Sequence, residues 1–320
     1  MISISRTFLP PLETYTAYLK KIWKSHWLTN NGVFVQELEK KLAKRWGVKH
    51  VVCVANGTSA LMIALKALGI KKTIYTSPLS FVATVSAPMW LGIKPVFVDE
   101  GETFPGPALV THTYGYPHLV SARPVIYDAS HAFGVKVNGK SLLSYGDVSI
   151  ISFSAVKIFQ TVEGGAVVTN NDAIARKARY MRNYGFDGRY TMLGEGMNAK
   201  MSEFHAAMGL CSLTLVDRAL KRYTDIITQY NTALGYDHED VTYYPIWYQT
   251  EKKLIHAIQI FEKHGIAVRR YFYPPLNKAF GGKSCPRLEH EMKTVLCLPL
   301  YAELTDTQVK KIIRVAKETR

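Results

Sequence analysis

A chain of 320 residues with 48% hydrophobic and 20% charged content is long enough to bury a sizeable core, and suits one large domain with a smaller second one. No apolar run approaches the roughly 20 residues that cross a bilayer, and the N-terminal MISISRTFLPPLE lacks the basic region and apolar core of a signal peptide. The net charge of +15 comes in part from lysines on expected solvated helix faces, as in 36–46 and 308–320, and the remainder suits small anions such as a phosphate group or a nucleotide diphosphate. A polynucleotide partner is disfavoured, because neither a zinc-finger nor an RNP signature is present. Cys53, Cys211, Cys285 and Cys297 are far apart with no CxxC pair. That pattern indicates neither a disulfide framework nor a metal site, and it expects a reducing cytoplasm, with no membrane partner.

In chain order, residues 9–32 give a Pro-led entry, a helix and the polar turn Thr29-Asn30-Asn31-Gly32. A second helix from Phe34 to Trp46 ends at Gly47, the residue type that closes helices in the left-handed conformation. Val51 to Val54 is expected as a buried strand and Thr58 to Leu68 as a helix, with Asn56-Gly57-Thr58-Ser59 between them. This junction is a candidate anion site, since a helix N-terminus offers unpaired N–H groups and a partial positive charge. An ordinary N-cap by Thr58 or Ser59 explains the same residues. Strands at 73–77, 95–99, 108–115 and 124–128, with a helix from about Ser80 to Leu91, continue the alternation. The fold class is therefore α/β with a mostly parallel sheet, in which ligands bind beyond the carboxyl ends of the strands. Asp128 ends one such strand, placed either for chemistry or to cap the next turn.

Residues 147–170 read as a strand from Val148 to Phe153, a bend holding Lys157, and a strand from Ala166 to Thr169. The Gly164-Gly165 pair before the second strand permits positive φ and close approach of a ligand. Lys157 either ends a strand in solvent, as most lysines do, or is a desolvated amine of lowered pKa that attacks a carbonyl, the requirement for a Schiff-base lysine. Beyond it come a helix at 173–184, a Gly-rich loop at 185–196, a helix capped by Ser202, and a long helix from Val216 to Leu234. An α+β segment closes the chain, with strands expected at 241–248 and 266–273, a helix at 251–265, an apolar run at 295–300 and a final helix. Residues 1–225 are expected as the large domain, including an N-terminal arm, and 226–320 as the small one.

WLTNNGVFVQELEKKLA, ANGTSAL, SFVAT, KPVFVD, YGYP, IYDASHAFG, FSAVKIFQTVEGGAVVT, GMNAKMSEFHAAMGL, RRYFYPPL and CLPLY occur in that order along the chain. Together they resemble the DegT/StrS-type nucleotide-sugar aminotransferases, fold-type I enzymes that depend on pyridoxal 5'-phosphate. The resemblance implies that Lys157 forms the Schiff base with the cofactor and later moves the proton, and that Asp128 pairs with the pyridine nitrogen. It puts His131 at the ring hydroxyl, Phe81 on the ring face, and Gly57, Thr58, Ser59 and Ser152 around the phosphate. Asn198 would reach the phosphate of a neighbouring subunit, which makes the unit a homodimer with shared sites. Asn31, Arg270 and Tyr271 lie in segments that resemble substrate-lining ones, although Arg269 or Arg270 equally fits a strand-face charge. His112, His118 and His205 show no metal-type spacing.

Residues 100–128 are shorter than the family pattern, with helices around the strands at 108–113 and 124–128 trimmed or missing. The lysine turn looks closest to enzymes that aminate C4 of dTDP-4-keto-6-deoxyglucose, with glutamate as donor and pyridoxamine 5'-phosphate as the intermediate cofactor form. The alternatives are a 3-keto sugar nucleotide aminotransferase or a non-catalytic regulator that binds pyridoxal phosphate or anions. Relatives that dehydrate the sugar carry histidine in place of the lysine.

Overall fold

A computed structural model describes residues 1–188 and 190–320. The chain runs α1 (Leu12–Ser25), α2 (Val33–Trp46), β1 (His50–Val54), α3 (Gly57–Ala67), β2 (Thr73–Thr76), α4 (Ala83–Trp90), β3 (Lys94–Phe97), β4 (Ala108–Thr111) and β5 (Val125–Asp128). It continues through the short pair β6 (Lys136–Val137) and β7 (Lys140–Ser141) to β8 (Val148–Ser152), β9 (Gly165–Thr169), α5 (Asp172–Met181), α6 (Glu203–Leu213) and α7 (Val216–Leu234). It ends with β10 (Tyr244–Trp247), α8 (Glu251–Lys263), α9 (Leu276–Ala279), α10 (Pro286–Thr294), β11 (Val295–Leu298) and α11 (Asp306–Glu318).

Seven strands form one sheet in the order β1-β9-β8-β5-β4-β2-β3. β9 is antiparallel to both of its neighbours, and the remaining pairings are parallel. The α/β class with a mostly parallel sheet is thus present. The central strands are apolar on consecutive residues because helices cover both faces, which removes the alternation of a half-exposed strand. α3, apolar almost all round, is buried with Ala60, Leu61, Ala64 and Leu65 against Val52, Val54, Ile126, Ile150 and Val167. On the opposite face α2 and α6 cross closely enough that a Cβ at Gly209 would lie 3.0 Å from Leu38 Cδ2.

The β4–β5 connection differs from the usual crossover. Parallel neighbours are normally joined through a helix, yet residues 112–124 hold one 3-10 turn, Thr113–Gly115. Loop residues Phe104, Val120, Ala122 and Tyr145 cover the strand side chains Ala108, Val110, Val125 and Tyr127 there. The strand expected at 108–115 therefore stops at Thr111.

A second core surrounds the antiparallel pair β10–β11, packed by α7, α8 and α11 and joined by Ile2. Position 225 falls inside α7, whose Val216 packs in the first core while Ile226, Tyr230 and Leu234 pack in the second. The strand expected at 266–273 is not formed. Ile266 bridges Ile2 and Arg269 bridges Cys297 as isolated pairs. A turn from Tyr273 N–H to Arg270 C=O then folds the chain away, and Pro274 and Pro275 have no N–H to continue a ladder.

Glu203 at the start of α6 is buried, and its carboxylate accepts from Phe34 N–H (2.9 Å) and Val35 N–H (3.0 Å), the first free donors of α2. Charge-assisted bonds to a helix N-terminus are among the stronger ones. Glu203→Ala is expected to lower stability by about 3 kcal/mol in chemical denaturation and Glu203→Gln by about half of that.

Candidate active site

Because β1, β2, β4, β5 and β8 run in one direction, their carboxyl ends share one edge of the sheet, where ligands of such folds bind. Asp128 ends β5, Ser152 ends β8, and the turn Ala55-Asn56 after β1 leads into α3. β9 runs the other way, so its first residue reaches the same edge. Gly165 is paired with Val54 on one side and Ser152 on the other. Neither Gly164 nor Gly165 has a positive φ. The pair was expected to admit a ligand, but what Gly165 admits is backbone: a Cβ there would lie 2.7 Å from Asn56 C and 2.8 Å from Gly57 N.

Lys157 follows β8 and turns its amine inward, where Nζ donates to the Tyr243 hydroxyl at 3.3 Å. Loss of solvent lowers its pKa from 10.5 to about 8, and the nearby Asp128 carboxylate opposes that shift. Asp128 is buried and its carboxyl is held above the usual range by burial, countered by the Ser130 N–H bond to Oδ1 (3.0 Å) and by Lys157. His131 is buried too, and burial followed by the Lys157 charge keeps its imidazole neutral. Its ring stacks on Phe272 at 5.5 Å, and among the described residues Nδ1 has no hydrogen-bond partner. Phe81, half-exposed at the rim, meets Phe272 edge-on at 6.1 Å.

At the head of α3, Asn56 caps the helix, with Oδ1 accepting from Ser59 N–H (2.8 Å). The Ser59 hydroxyl donates to Asn56 C=O (2.8 Å) and accepts from Asn56 N–H (3.3 Å). Both Ser59 donors are thus spent inside the capping box. The backbone N–H groups of Gly57 and Thr58 are the donors this cap leaves over. Gly57 faces Ser152 so closely that a Cβ on it would lie 3.0 Å from Ser152 Cβ. Asn198 is exposed, with Oδ1 accepting from Lys200 Nζ (2.7 Å), and the C=O of its neighbour Ala199 accepts from Ala55 N–H (2.8 Å).

The three residues read as substrate-lining are scattered. Tyr271 packs on Tyr243 at 4.6 Å, beside Lys157, and its C=O accepts from the Tyr114 hydroxyl. Arg270 instead pairs with Glu251 (2.6 Å), donates to Lys293 C=O (3.3 Å) and lies over the Tyr273 ring at 3.6 Å. Its guanidinium is committed to α8 and α10. Asn31 lines a cleft of about 860 Å³ with Trp27, Arg176, Arg179 and Lys200. The Asn31 side chain is held by buried Arg182, which donates to Asn31 Oδ1 (2.8 Å), Glu39 (2.5 Å) and Cys53 C=O (2.7 Å). Tyr243, Phe272, Ser130 and Arg182 were not anticipated. Each acts through a partner remote in sequence or through a backbone N–H, so its role is not visible in the sequence around it.

The DegT/DnrJ/EryC1/StrS aminotransferase family matches residues 12–105 and 121–317. The chain belongs to this family. A Shigella dysenteriae protein described as dTDP-4-amino-4,6-dideoxy-D-glucose transaminase is 34% identical, covering 100% of this chain and 99% of that one. An Escherichia coli protein of the same description is 32% identical over 98% and 97% of the two chains. Among solved structures, DesI in the presence of its TDP-sugar product superposes with a TM-score of 0.90 at 26% identity, covering 98% of this chain and 92% of DesI. The break in the family match, residues 106–120, covers β4 and most of the β4–β5 link that lacks an α-helix.

The cofactor implied by the family is tested by these groups. An orphaned His131 Nδ1, an amine without a carboxylate bond, a buried carboxylate with one N–H partner and a glycine-lined helix N-terminus suit a phosphorylated pyridine aldehyde. In cofactor-free protein, Lys157→Met is expected to raise stability at neutral pH by roughly 2 kcal/mol, reduced from the full shift because the side chain keeps some solvent contact. Below about 8 the native and unfolded amines are both charged, and the wild type bears the whole cost of the desolvated ammonium. From about 8 to 10.5 the native amine releases its proton first, so wild-type stability rises with pH and the advantage of the variant closes. Denaturant midpoints of both proteins across that window measure the effect.

Proposed function

We propose that this chain is a pyridoxal phosphate-dependent aminotransferase of a nucleotide-linked 4-keto-6-deoxysugar, of the dTDP-4-keto-6-deoxyglucose class, with glutamate as donor. The observation that carries the reading is the amine of Lys157, lowered to about 8 and set at the same sheet edge as Asp128 and the head of α3. The names of the Shigella dysenteriae and Escherichia coli relatives support the substrate class.

When bound, the cofactor supplies an electron sink for electrons left at the donor's Cα. Asp128 would hold the proton on the pyridine nitrogen, and burial concentrates its charge on that partner. Gly57 and Thr58 N–H groups with the Ser152 hydroxyl would anchor the phosphate, His131 Nδ1 the ring hydroxyl, and Phe81 a ring face. Lys157 would take the proton from donor Cα in the first half-reaction and deliver one to the aminated sugar carbon in the second, a task suited to an amine near 8 that is partly neutral at cellular pH. The basic cleft of Asn31, Arg176, Arg179 and Lys200 suits a diphosphate-bearing substrate.

The unit is read as a homodimer with shared sites, acting in the cytoplasm. Exposed Asn198 and the exposed apolar Phe81, Val82, Met89 and Trp90 support a second copy at this face. The chain is divided near residue 225 into a cofactor-binding unit and a smaller unit with its own core around β10 and β11.

Protein loaded with pyridoxal phosphate should show a visible band that shifts on adding glutamate, then aminate dTDP-4-keto-6-deoxyglucose at C4, as read by NMR of the product. Lys157→Ala should abolish both. Asp128→Asn should lower kcat at least 100-fold (about 3 kcal/mol) while leaving some cofactor bound. Nitrogen at C3, or full activity of either variant, overturns the reading.

A further inference from the structure

Tyr243 belongs to none of the sequence motifs, yet its hydroxyl is the partner of the Lys157 amine at 3.3 Å, with Nζ also 5.5 Å from the ring centroid. It lies in the segment between α7 and β10, and that segment is pinned on both sides. Thr242 N–H donates to Tyr114 C=O (2.8 Å), and the Thr242 hydroxyl donates to His131 C=O (2.8 Å). The Tyr243 ring packs edge-on to His131 at 4.8 Å and against Tyr271 at 4.6 Å. The hydroxyl is therefore held in place through Tyr114, His131 and Tyr271, while Lys157 follows β8.

We propose that Tyr243 is a positioning residue for the Lys157 amine, holding it at the reacting centre whenever it is not bonded to the cofactor. A phenol suits this task because it accepts from an ammonium and donates to a neutral amine, so the contact survives each proton transfer. Burial raises the phenol above its ordinary value while the amine is lowered to about 8, so the amine loses its proton first and the pair never becomes ammonium and phenolate. The proposal rests on the aminotransferase reading for its use in turnover. The contact itself does not.

Tyr243→Phe removes the oxygen and keeps the ring packing, and Tyr243→Leu removes both. The other titratable or charged groups near the pair, Asp128, His131, Tyr223, Arg269 and Tyr271, stay in place. In cofactor-free protein, competitive acetylation of Lys157 read by mass spectrometry gives the titration midpoint of the amine. A charge-assisted hydrogen bond is about twice as strong as a neutral one, so the midpoint is expected to fall in Tyr243→Phe. In loaded enzyme, kcat is expected to fall roughly tenfold, the equivalent of one hydrogen bond, with KM for the nucleotide sugar unchanged. An unchanged midpoint overturns the proposal, as does a lower midpoint with unchanged kcat. Loss confined to Tyr243→Leu assigns the residue to packing and overturns it too. If the wild type turns over no nucleotide sugar, the function reading fails separately, and the acetylation midpoint alone decides the contact.

Discussion

The close backbone approach at Gly165 is the constraint on which the site depends. β9 runs antiparallel between β1 and β8, and its first residue is in register with the last residue of each. Only a residue without a side chain allows the Asn56–Gly57 peptide to lie against it, since any Cβ would be within 2.7 Å of Asn56 C. Bringing those backbones together sets the head of α3 beside the end of β8, and so sets the anion-binding turn beside the segment that leads to Lys157. A side chain at position 165 would separate the two halves of the site by moving main chain, which no rotamer can relieve.

The charges at this edge are mutually dependent. Burial alone would neutralise Asp128, Lys157 and His131, and it moves the pKa of each in the direction of the neutral form. The carboxylate and the amine each offset part of the other's desolvation, while the like charge of Lys157 keeps the imidazole uncharged. A neutral histidine between two ionisable groups is a hydrogen-bonding partner without a field of its own, and its unpaired Nδ1 has capacity left for a ligand. The capping box at Asn56 has the complementary logic. It consumes the Ser59 donors but keeps the first turn of α3 rigid, so the remaining N–H groups point outward from a fixed frame.

What could be read in the sequence was local. The strands of the sheet, the Gly47 and Ser202 caps and the turn before α3 declare themselves within a few residues, through apolar runs, a helix-closing glycine or a capping hydroxyl, while Asp128 and Lys157 were each open to a second local reading. Their family roles came from the joint order of the motifs rather than from any single one. Arrangements made across the chain were not legible. Tyr243 meets Lys157 across 86 positions, Arg182 meets Asn31 across 151, and Glu203 meets Phe34 across 169. Arg270 was ambiguous because position in a motif does not say which way a side chain turns, and Glu251 takes it. The run 266–273 looked like a strand from its apolar and aromatic residues, but it meets β11 only through the single Arg269–Cys297 bridge, and the prolines that follow cannot extend a ladder.

The missing helix between β4 and β5 shows why the periphery and the chemistry vary separately. A crossover helix serves a sheet by covering the apolar side chains of the strands it joins, and here Phe104, Val120, Ala122 and Tyr145 do that from loops. The reactive groups depend on the strands themselves, because Asp128 is positioned by parallel pairing of β5 with both β4 and β8. Thirteen residues remain between Thr111 and Val125, at the lower limit for returning the chain to a parallel start. Further shortening would have to come from the strands, and Asp128 sits at the end of one. The connection is trimmed as far as the register that holds the carboxylate allows.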